Sequence, residues 1–521
     1  MKSMPILIKK KNYPLIFLYI LGAFHWYLFL NYKNDNFEFL DWRLFFGIYL
    51  IFEEAFKNFQ IPYHASIFTS DNFAERNTEY LREGRFFANE WIVLMPQSIL
   101  LFFLSAKNYL TFQYLLFYTL MFYGLLKIKK EFCLSNTASY FLIILFTYNG
   151  KLLSQSAFGE PHFVFGWMLI PLFYHFLYKY LKSEKSDQNI KNTLKFSFIF
   201  IFILSQADLH IYYEMFFVGL ATIIFFPKKI INYIAGVGLS VLVSLWYVLP
   251  VLFFSNKTLG GVQGNIDHWR RFGINGYGHQ NGHVGIPIFE NINIDSFNIN
   301  QNNLFEILTN LTKYLINILN HILESLVVKY SAFHQNTHEY NIYISFFGLV
   351  ILILGMIFHK NKDSFLKKIR FKLIASLFIV FLISIGPFHK LILQFLNNFY
   401  AFNPIDAIPS RFLIFVLSFL IIFSAQGFDR IFEKLKIKSI LFKYITLTTL
   451  LLVLWLHSFN WWIFNSRISS LNSNSGSGDF NIRIYELSND SNYIPIVNFS
   501  YLFSLIAFIS LIIIYKRLKK K

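Results

Sequence analysis

Lysine and arginine recur in short clusters along this chain, and apolar stretches separate one cluster from the next. Basic residues stay on the cytoplasmic side of a membrane because moving them across is costly, so this alternation predicts a membrane topology. The clusters are predicted to lie inside, and the longer segments that carry most of the Asp, Glu and His are predicted to lie outside. The clusters occupy residues 2–11, 127–130, 179–195, 228–229, 360–372, 430–443 and 516–521.

The composition agrees with a chain embedded in lipid. Hydrophobic residues make up 55% of the 521 residues, and aromatic residues alone make up 20%. A soluble domain of this composition would have too little polar surface to hydrate. The net charge of +18 could favour nucleic acid, but the charges lie in short loops beside apolar runs, so topology explains them better. The sequence therefore predicts an integral membrane protein in contact with membrane lipids, and no nucleic-acid partner.

The apolar segments predict the number of crossings. A helix needs about 20 apolar residues to cross the hydrocarbon core, and fewer when its ends are wetted or buried. On this basis we expect an all-α polytopic membrane protein with about 11 to 13 spans and both termini cytoplasmic. Residues 92–104 are also apolar, but no basic cluster separates them from the next span, so they are predicted to be re-entrant or surface-lying. The predicted spans are 14–30, 109–126, 137–148, 161–178, 194–206, 211–226, 231–254, 342–358, 371–388, 411–427, 440–457 and 499–515.

Three long segments are predicted to lie outside the membrane and to divide the chain. Residues 1–254 form an N-terminal transmembrane module that includes the outer loop 31–91. In this loop aromatic and charged residues alternate as in amphipathic helices on a membrane surface. An extracytoplasmic loop, 255–340, follows. Residues 341–521 supply the C-terminal transmembrane helices with the outer loop 458–498.

Acidic residues just outside two predicted spans are the first candidates for chemistry. Asp41 lies beyond the first span, where a carboxylate could act as a general base for a sugar hydroxyl or help to hold a divalent cation. The alternatives are a helix cap or an ion pair with Arg43, which is itself a candidate phosphate ligand. Asp208 and His210 form the turn of a tight outer hairpin, where polar groups are costly without partners. Asp208 is predicted to be a second acid, and His210 is predicted to be a partner of a phosphate or a metal. The alternative is that the tip of the hairpin is simply exposed to water.

Polar residues also stand at the outer ends of two other predicted spans. Pro161 suits a first helical turn, and the N-terminus of a helix favours an anion, so His162 could donate to a phosphate while Glu160 could coordinate a metal. A cap built from ordinary polar residues is the alternative. The fixed fork of donors on Arg411 suits a lipid-linked phosphate. The alternatives are snorkelling to the interface or a pair with Asp406.

The outer loop 255–340 begins with a stretch rich in Gly and His. His279 and His283 are four residues apart, as zinc ligands on a helix would be, but the glycines around them argue against a helix. A zinc site is therefore not predicted. A substrate lid that carries Arg270 or Arg271 fits the segment better.

Short motifs along the chain occur in an order that resembles the GT-C superfamily of polyprenyl-phosphate-sugar-dependent glycosyltransferases, and within it the bacterial YfhO-like membrane proteins. The likeness covers residues 14–427 and includes an acid in the first outer loop, surface-lying helices after it and many spans. It departs from the family at residues 62–70, where a glycine-rich turn is expected. Because of this departure, the resemblance does not predict how the acceptor is bound. The motifs are Asp41-Trp42, Glu53-Glu54, Ile61-Pro62-Tyr63, Met95-Pro96-Gln97-Ser98, Ser156-Ala157-Phe158-Gly159-Glu160-Pro161-His162 and Pro409-Ser410-Arg411-Phe412.

The resemblance implies a GT-C-like helix bundle that transfers a sugar from a polyprenyl-phosphate donor to an envelope glycan, lipid or protein. Asp41 would be the catalytic base, Arg411 and His210 would hold the carrier phosphate, and the reaction would invert the anomeric carbon. Mg²⁺ or Mn²⁺ is the one cofactor considered. The expected location is the bacterial inner membrane, with an extracytoplasmic active site.

Two other classes of function stay open. A transporter or flippase of lipid-linked sugars would need paired charges inside the spans, whereas most charges lie at the ends of the predicted spans. A non-catalytic protein of envelope assembly could keep the same architecture without activity. Substitution of Asp41 or Asp208 separates these classes, because it should abolish transfer by an enzyme and spare a scaffold.

Overall fold

The structure is a computed structural model in which the described part of the chain is mostly helical, with one pair of short strands. The helices are α1 (Tyr13–Asn31), α2 (Trp42–Lys57), α3 (Ala106–Glu131), α4 (Asn136–Thr147), α5 (Gly150–Phe158), α6 (Pro161–Met168), α7 (Ile170–Lys182), α8 (Ser186–Leu204), α9 (Leu209–Ile223), α10 (Pro227–Val243), α11 (Leu245–Thr258), α12 (Phe346–Ile357), α13 (Ser364–Ser384), α14 (Leu413–Lys434), α15 (Ile440–Asn472) and α16 (Tyr493–Lys520). The strands are β1 (His64–Phe68) and β2 (Asn481–Tyr485), and short 3-10 helices cover Phe86–Ala88, Pro96–Phe102 and Pro409–Phe412. The described residues are 13–32, 42–68, 85–88, 96–183, 186–204, 209–258, 342–359, 364–384, 409–437, 439–472, 481–485 and 490–520.

Polar caps and a proline explain where several helices begin. Ser105, Ser135 and Asn149 precede α3, α4 and α5, and each side-chain oxygen accepts a hydrogen bond from the backbone N–H three residues further on. Such caps satisfy N–H groups that have no partner within the helix. Pro161 occupies the first turn of α6, where its missing N–H is not needed.

Several helices have the length and composition of membrane spans. Within the described ranges, five helices can cross a membrane by these criteria, or six if one bent pair counts as a single span. The five lie in α1, α3, α14, α15 and α16, and the windows in α15 and α16 are only 22% buried. Their apolar outer faces suit contact with lipid tails. The mostly helical membrane class is therefore confirmed in outline, while the larger number of spans stays a prediction.

The predicted span 231–254 is a bent pair instead of one straight helix. Helices α10 and α11 meet at Ser244, where the helix axis bends by 76°. At the bend, the backbone N–H of Trp246 donates to Oγ of Ser504 on α16 at 2.7 Å. A backbone donor released by a break within a membrane needs a partner inside the protein, and the last helix supplies it.

The predicted span 161–178 is likewise divided, into α6 and α7, which meet at Leu169. Pro171 follows the break and cannot donate the backbone hydrogen bond that would continue the helix. The 92–104 segment contains only the short 3-10 helix Pro96–Phe102 in its described part. No span-length helix occurs in the described residues of that segment.

Helix α15 is longer than the span predicted at 440–457. It continues to Asn472, so it takes up the first part of the predicted outer loop 458–498. The sequence between Ile440 and Asn472 contains neither proline nor glycine, and these are the residues that most strongly interrupt a helix.

Helices from both ends of the chain share one core. Helix α16 packs on α8, α10 and α11, while α14 packs on α4 as well as on α12 and α13. At the crossing of α12 and α14, a Cβ atom on Gly427 would lie 1.9 Å from the carbonyl oxygen of Gly355. Small residues let membrane helices approach until their backbones touch, so this glycine pair sets the spacing of the two helices.

A two-stranded sheet joins the predicted outer loops 31–91 and 458–498, and the sequence did not predict this sheet. Strands β1 and β2 are antiparallel, with His64 opposite Tyr485 and Phe68 opposite Asn481. The pairing holds the segment after α2 against the segment before α16. It thereby ties the first outer loop to the C-terminal helices.

Beside this sheet, three side chains form a cluster that we call the outer clamp: His64, Arg85 and Asp490. Arg85 donates to both oxygens of the Asp490 carboxylate, at 2.6 and 2.7 Å, and Nε2 of His64 lies 2.9 Å from Oδ2. The guanidinium also lies 5.2 Å from the ring centre of Phe254 and 5.9 Å from that of Tyr493. Burial alone would raise the pKa of Asp490, but the hydrogen bonds from Arg85 and His64 outweigh it and lower the pKa below 3.8.

Candidate functional site

Arg411 and Glu160 meet inside the bundle, just before α14 and α6 begin. Nη2 of Arg411 lies 3.7 Å from Oε1 of Glu160, and the two side chains are 5% and 12% exposed. Nε2 of Gln155 donates to the other carboxylate oxygen. The guanidinium also lies over the ring of Phe163, 3.9 Å from its centre. Buried charges are costly unless they are paired. In this pair, Gln155 also stabilises the carboxylate and the ring of Phe163 also stabilises the guanidinium.

The separation of the pair matters for its chemistry. A direct charge-assisted hydrogen bond between nitrogen and oxygen spans about 2.8 Å, and the 3.7 Å between Arg411 and Glu160 is longer. The contact between these two atoms is therefore an ion pair beyond hydrogen-bonding distance. Of the alternatives for Arg411, snorkelling does not fit because the side chain is buried, and Asp406 lies outside the described residues.

The turn before Glu160 brings the first outer loop to this pair. Gly159 has φ +94°, in the left-handed region, and a Cβ atom there would lie 2.2 Å from the backbone nitrogen of Trp42. Glycine is thus required both for the conformation and for the close approach. Trp42 is the first residue of α2 and follows Asp41 in the sequence. The start of α2 therefore packs directly on the residue that precedes Glu160.

His162 is the second residue of α6 and lies among aromatic rings. Its ring centre is 4.1 Å from that of Phe45 on α2 and 4.3 Å from that of Phe163. The residue is 2% exposed. These contacts make His162 part of the packing between α2 and α6, and its role as a phosphate ligand stays a prediction.

Two further buried charges, Lys151 and Glu214, contact Trp167, whose ring stacks on that of Phe163 with 5.7 Å between the ring centres. Nζ of Lys151 is 5.0 Å from the centre of the indole ring, and the indole Nε1 donates to Oε2 of Glu214 at 3.0 Å. Lys151 is 0% exposed and Glu214 is 2% exposed. The close approach of Gly166 to Ile211 brings α6 and α9 together at this level. We call the six side chains Lys151, Gln155, Glu160, His162, Glu214 and Arg411 the polar cluster.

The sequence also contained a signal for Lys151, which was not among the predicted site residues. Between residues 132 and 178 there is one basic residue, Lys151, and one acidic residue, Glu160. Ionisable residues isolated in a long apolar region are functional candidates by default. Glu214 stands in a similar apolar setting within α9. Their shared neighbour Trp167 could not be inferred, because it depends on how α6 packs against α5 and α9.

Several candidate residues cannot be placed relative to the polar cluster. Arg43 belongs to α2 and His210 to α9, but their side chains fall outside the described part of the chain. The phosphate-binding roles predicted for Arg43 and His210 therefore stay predictions. The candidates that lie wholly outside the described residues are Asp41, Asp208, Arg270 and Arg271.

A metal ion at Glu160 also stays a prediction. Among the described residues, no three His, Cys, Asp or Glu side chains come together in a way that could hold a metal ion. The described neighbours of the Glu160 carboxylate are Arg411 and Gln155, a cation and an amide donor. This donor set does not fit Mg²⁺ or Mn²⁺, which need several oxygen ligands, so no step is assigned to a metal here.

Comparison with known proteins adds no assignment. No family model matches the chain, and no similar protein was found among curated proteins or solved structures. Function has to be inferred from the polar cluster and from the motifs that surround it.

Proposed function

We propose that this protein is an integral-membrane glycosyltransferase that moves a sugar from a polyprenyl-phosphate donor to an acceptor on the predicted outer side. The supporting observation is the meeting of two motifs that lie far apart in sequence. Trp42, next to Asp41, packs on Gly159, next to Glu160, and Glu160 pairs with Arg411. A candidate base and a candidate phosphate ligand thus belong to segments that converge.

Arg411 is the residue that suits the donor phosphate. Its guanidinium has a fixed fork of donors that matches phosphate oxygens, and it is buried where its field is weakly screened. Glu160, Gln155 and Phe163 hold it in place. A preorganised cation of this kind stabilises charge that develops on a leaving group.

In the proposed reaction, Asp41 removes the proton from the acceptor hydroxyl as its oxygen attacks the anomeric carbon. The bond between that carbon and the phosphate oxygen breaks, and the polyprenyl phosphate leaves with the bonding electrons. Arg411 stabilises the charge on this phosphate, while the proton stays on Asp41 until solvent removes it. Attack opposite the leaving group inverts the anomeric carbon.

The test is sugar transfer by the purified full-length chain in lipid vesicles, with a panel of radiolabelled polyprenyl-phosphate sugars and acceptor extract. Asp41→Asn is expected to lower the rate by about 10²–10⁴-fold, as the loss of a general base does. Arg411→Gln is expected to lower it by about 10²–10³-fold, as the loss of a charge-stabilising donor does. Arg411→Lys keeps the charge without the fork of donors. Its rate of sugar transfer should lie between those of Arg411→Gln and the unmodified protein.

Two exposed residues provide matched controls. Glu54→Gln removes a carboxylate on α2, and Arg517→Gln removes a guanidinium near the end of α16, and both positions are exposed. Both variants should retain transfer. Monodisperse elution of every variant checks that the fold is kept. Full transfer by Asp41→Asn would contradict the assigned base, and transfer with none of the donors would contradict the proposed function.

A transporter of lipid-linked sugars is the second candidate, and one observation favours it. Lys151 and Glu214 are buried charges within the helices and both contact Trp167, as charges along a transport path would. A transporter would move the labelled lipid across the vesicle membrane with its sugar still attached. The glycosyltransferase would instead release free carrier phosphate and leave the label on the acceptor. Measuring both products in one vesicle sample separates the two functions.

A further inference from the structure

A pocket lies between α7, α9, α13 and α14, and none of its lining residues belongs to the polar cluster. It contains about 610 Å³ of empty space, including its open mouth. Leu366, Ile369 and Leu373 of α13 line one side of the pocket. The lysine and arginine residues of the basic cluster 360–372 lie between them in the sequence. Phe415 and Phe419 of α14 line it further along. The pocket therefore extends from the basic end of the bundle towards its interior.

The polar groups in the pocket wall are already occupied. Oγ1 of Thr222 and Oγ of Ser376 share a hydrogen bond of 2.7 Å, and the Tyr174 hydroxyl donates to the carbonyl oxygen of Phe415 at 2.9 Å. The remaining lining is aliphatic or aromatic. A polar ligand would gain little here, since groups that are already bonded offer no new partners. An apolar chain fits the pocket better.

Exposed cations stand at the basic end of this pocket. Nζ of Lys182 donates to the hydroxyl of Tyr178, a lining residue, at 2.9 Å. Nζ of Lys372 lies 4.6 Å from the ring centre of Phe226, which packs against the pocket residues Leu366 and Ile369. Lys182 and Lys372 are exposed to solvent, and their ammonium groups lie beside the aromatic rings of Tyr178 and Phe226. The rim is therefore positively charged, and the interior is apolar.

The geometry points to a binding site for an anionic phospholipid, with one acyl chain in the pocket and the phosphate held by Lys182 and Lys372. Exposed Lys368 and Arg370 on the same part of α13 add to the positive potential. Basic pockets between membrane helices at the cytoplasmic face recognise anionic headgroups in this way. The predicted topology places this end in the cytoplasmic leaflet. This inference does not depend on the proposed transfer reaction.

The test compares dioleoyl phosphatidylglycerol with dioleoyl phosphatidylcholine, which have the same acyl chains and different headgroup charge. Each lipid is titrated into the purified full-length protein in detergent, and bound copies are counted by native mass spectrometry. The protein should bind one phosphatidylglycerol molecule more tightly than the others. The double variant Lys182→Gln, Lys372→Gln should weaken this binding by about 30-fold, because each cation near an anionic lipid contributes about a factor of five.

Two further variants make the result specific. The double variant Lys516→Gln, Arg517→Gln removes the same charge from exposed positions on α16 and should bind phosphatidylglycerol as the unmodified protein does. Leu373→Trp fills the pocket and should weaken binding of both lipids. This loss would show that the acyl chain enters the pocket. Equal binding of the two lipids, or undiminished binding by the Lys182 and Lys372 variant, would overturn the proposal. Displacement of phosphatidylglycerol by equimolar polyprenyl phosphate would also overturn it, because the pocket would then hold the carrier.

Discussion

Gly159 provides a sharp test of how the first outer loop docks on the polar cluster. Its φ of +94° is strained for any residue with a Cβ atom, which adds about 1–3 kcal/mol when glycine is replaced. A Cβ atom would also lie 2.2 Å from the backbone nitrogen of Trp42, which cannot rotate away as a side chain can. Forcing such a contact apart adds about 1–3 kcal/mol more. Gly159→Ala is therefore expected to destabilise the protein by about 2–6 kcal/mol.

The measurement is thermal unfolding in detergent, followed by the fraction of protein that stays monodisperse after heating. Gly238→Ala is the matched control, because Gly238 lies within α10 and a Cβ atom there meets nothing within 4 Å. Alanine is a better helix former than glycine, so the control should keep or raise the unfolding temperature. Sugar transfer by Gly159→Ala should fall as well, since the change separates the start of α2 from Glu160.

An unfolding temperature for Gly159→Ala at or above that of Gly238→Ala would refute this reasoning. It would mean that α2 does not pack on the turn before Glu160. If Gly159→Ala lost stability but kept full transfer, the docking would be correct and its role in the proposed reaction would be wrong.

Two other predictions concern the outer clamp and the crossing of α12 with α14. Because the pKa of Asp490 is lowered, the stabilisation from its carboxylate is complete above the ordinary pKa of 3.8 and is lost as the pH falls through the lower folded value. The unfolding temperatures of the unmodified protein and Asp490→Asn should therefore differ near neutral pH and converge in acid, and a difference that does not change with pH would contradict this. Gly427→Ala would place a Cβ atom 1.9 Å from the Gly355 carbonyl oxygen, and it should destabilise the protein by at least about 1–3 kcal/mol in the same heating assay. An unfolding temperature equal to that of Gly238→Ala would show that the two backbones do not touch.

Local composition was enough to predict the helical membrane class and the approximate place of many helices. Residues 14–30 form α1 (Tyr13–Asn31) and residues 137–148 match α4 (Asn136–Thr147), although of these two helices only α1 has the length of a span. Agreement of this kind has a local cause, because a helix satisfies its own backbone and its apolar side chains need only lipid or a similar neighbour. Breaks were harder to predict. The bend at Ser244 depends on Ser504 of α16, which meets the backbone at Trp246.

The candidate site was predicted only as separate residues. Glu160 and His162 were predicted from one motif and Arg411 from another, and the structure connects them to Lys151 and Glu214 through the stacked rings of Phe163 and Trp167. The outer clamp escaped prediction altogether, since His64 and Asp490 are 426 residues apart in the chain. Contacts over such distances leave no periodic signal in either segment.

The sequence by itself determined that this chain enters a membrane and which ends of its helices carry the basic residues. These properties follow from apolar composition and charge placement, which act on each segment separately. Only the tertiary structure decided that Glu160 faces Arg411, that Trp42 packs on Gly159 and that β1 pairs with β2. Each of these contacts requires two distant segments to approach within a few ångströms, and that approach is set by how the surrounding helices fill the core together.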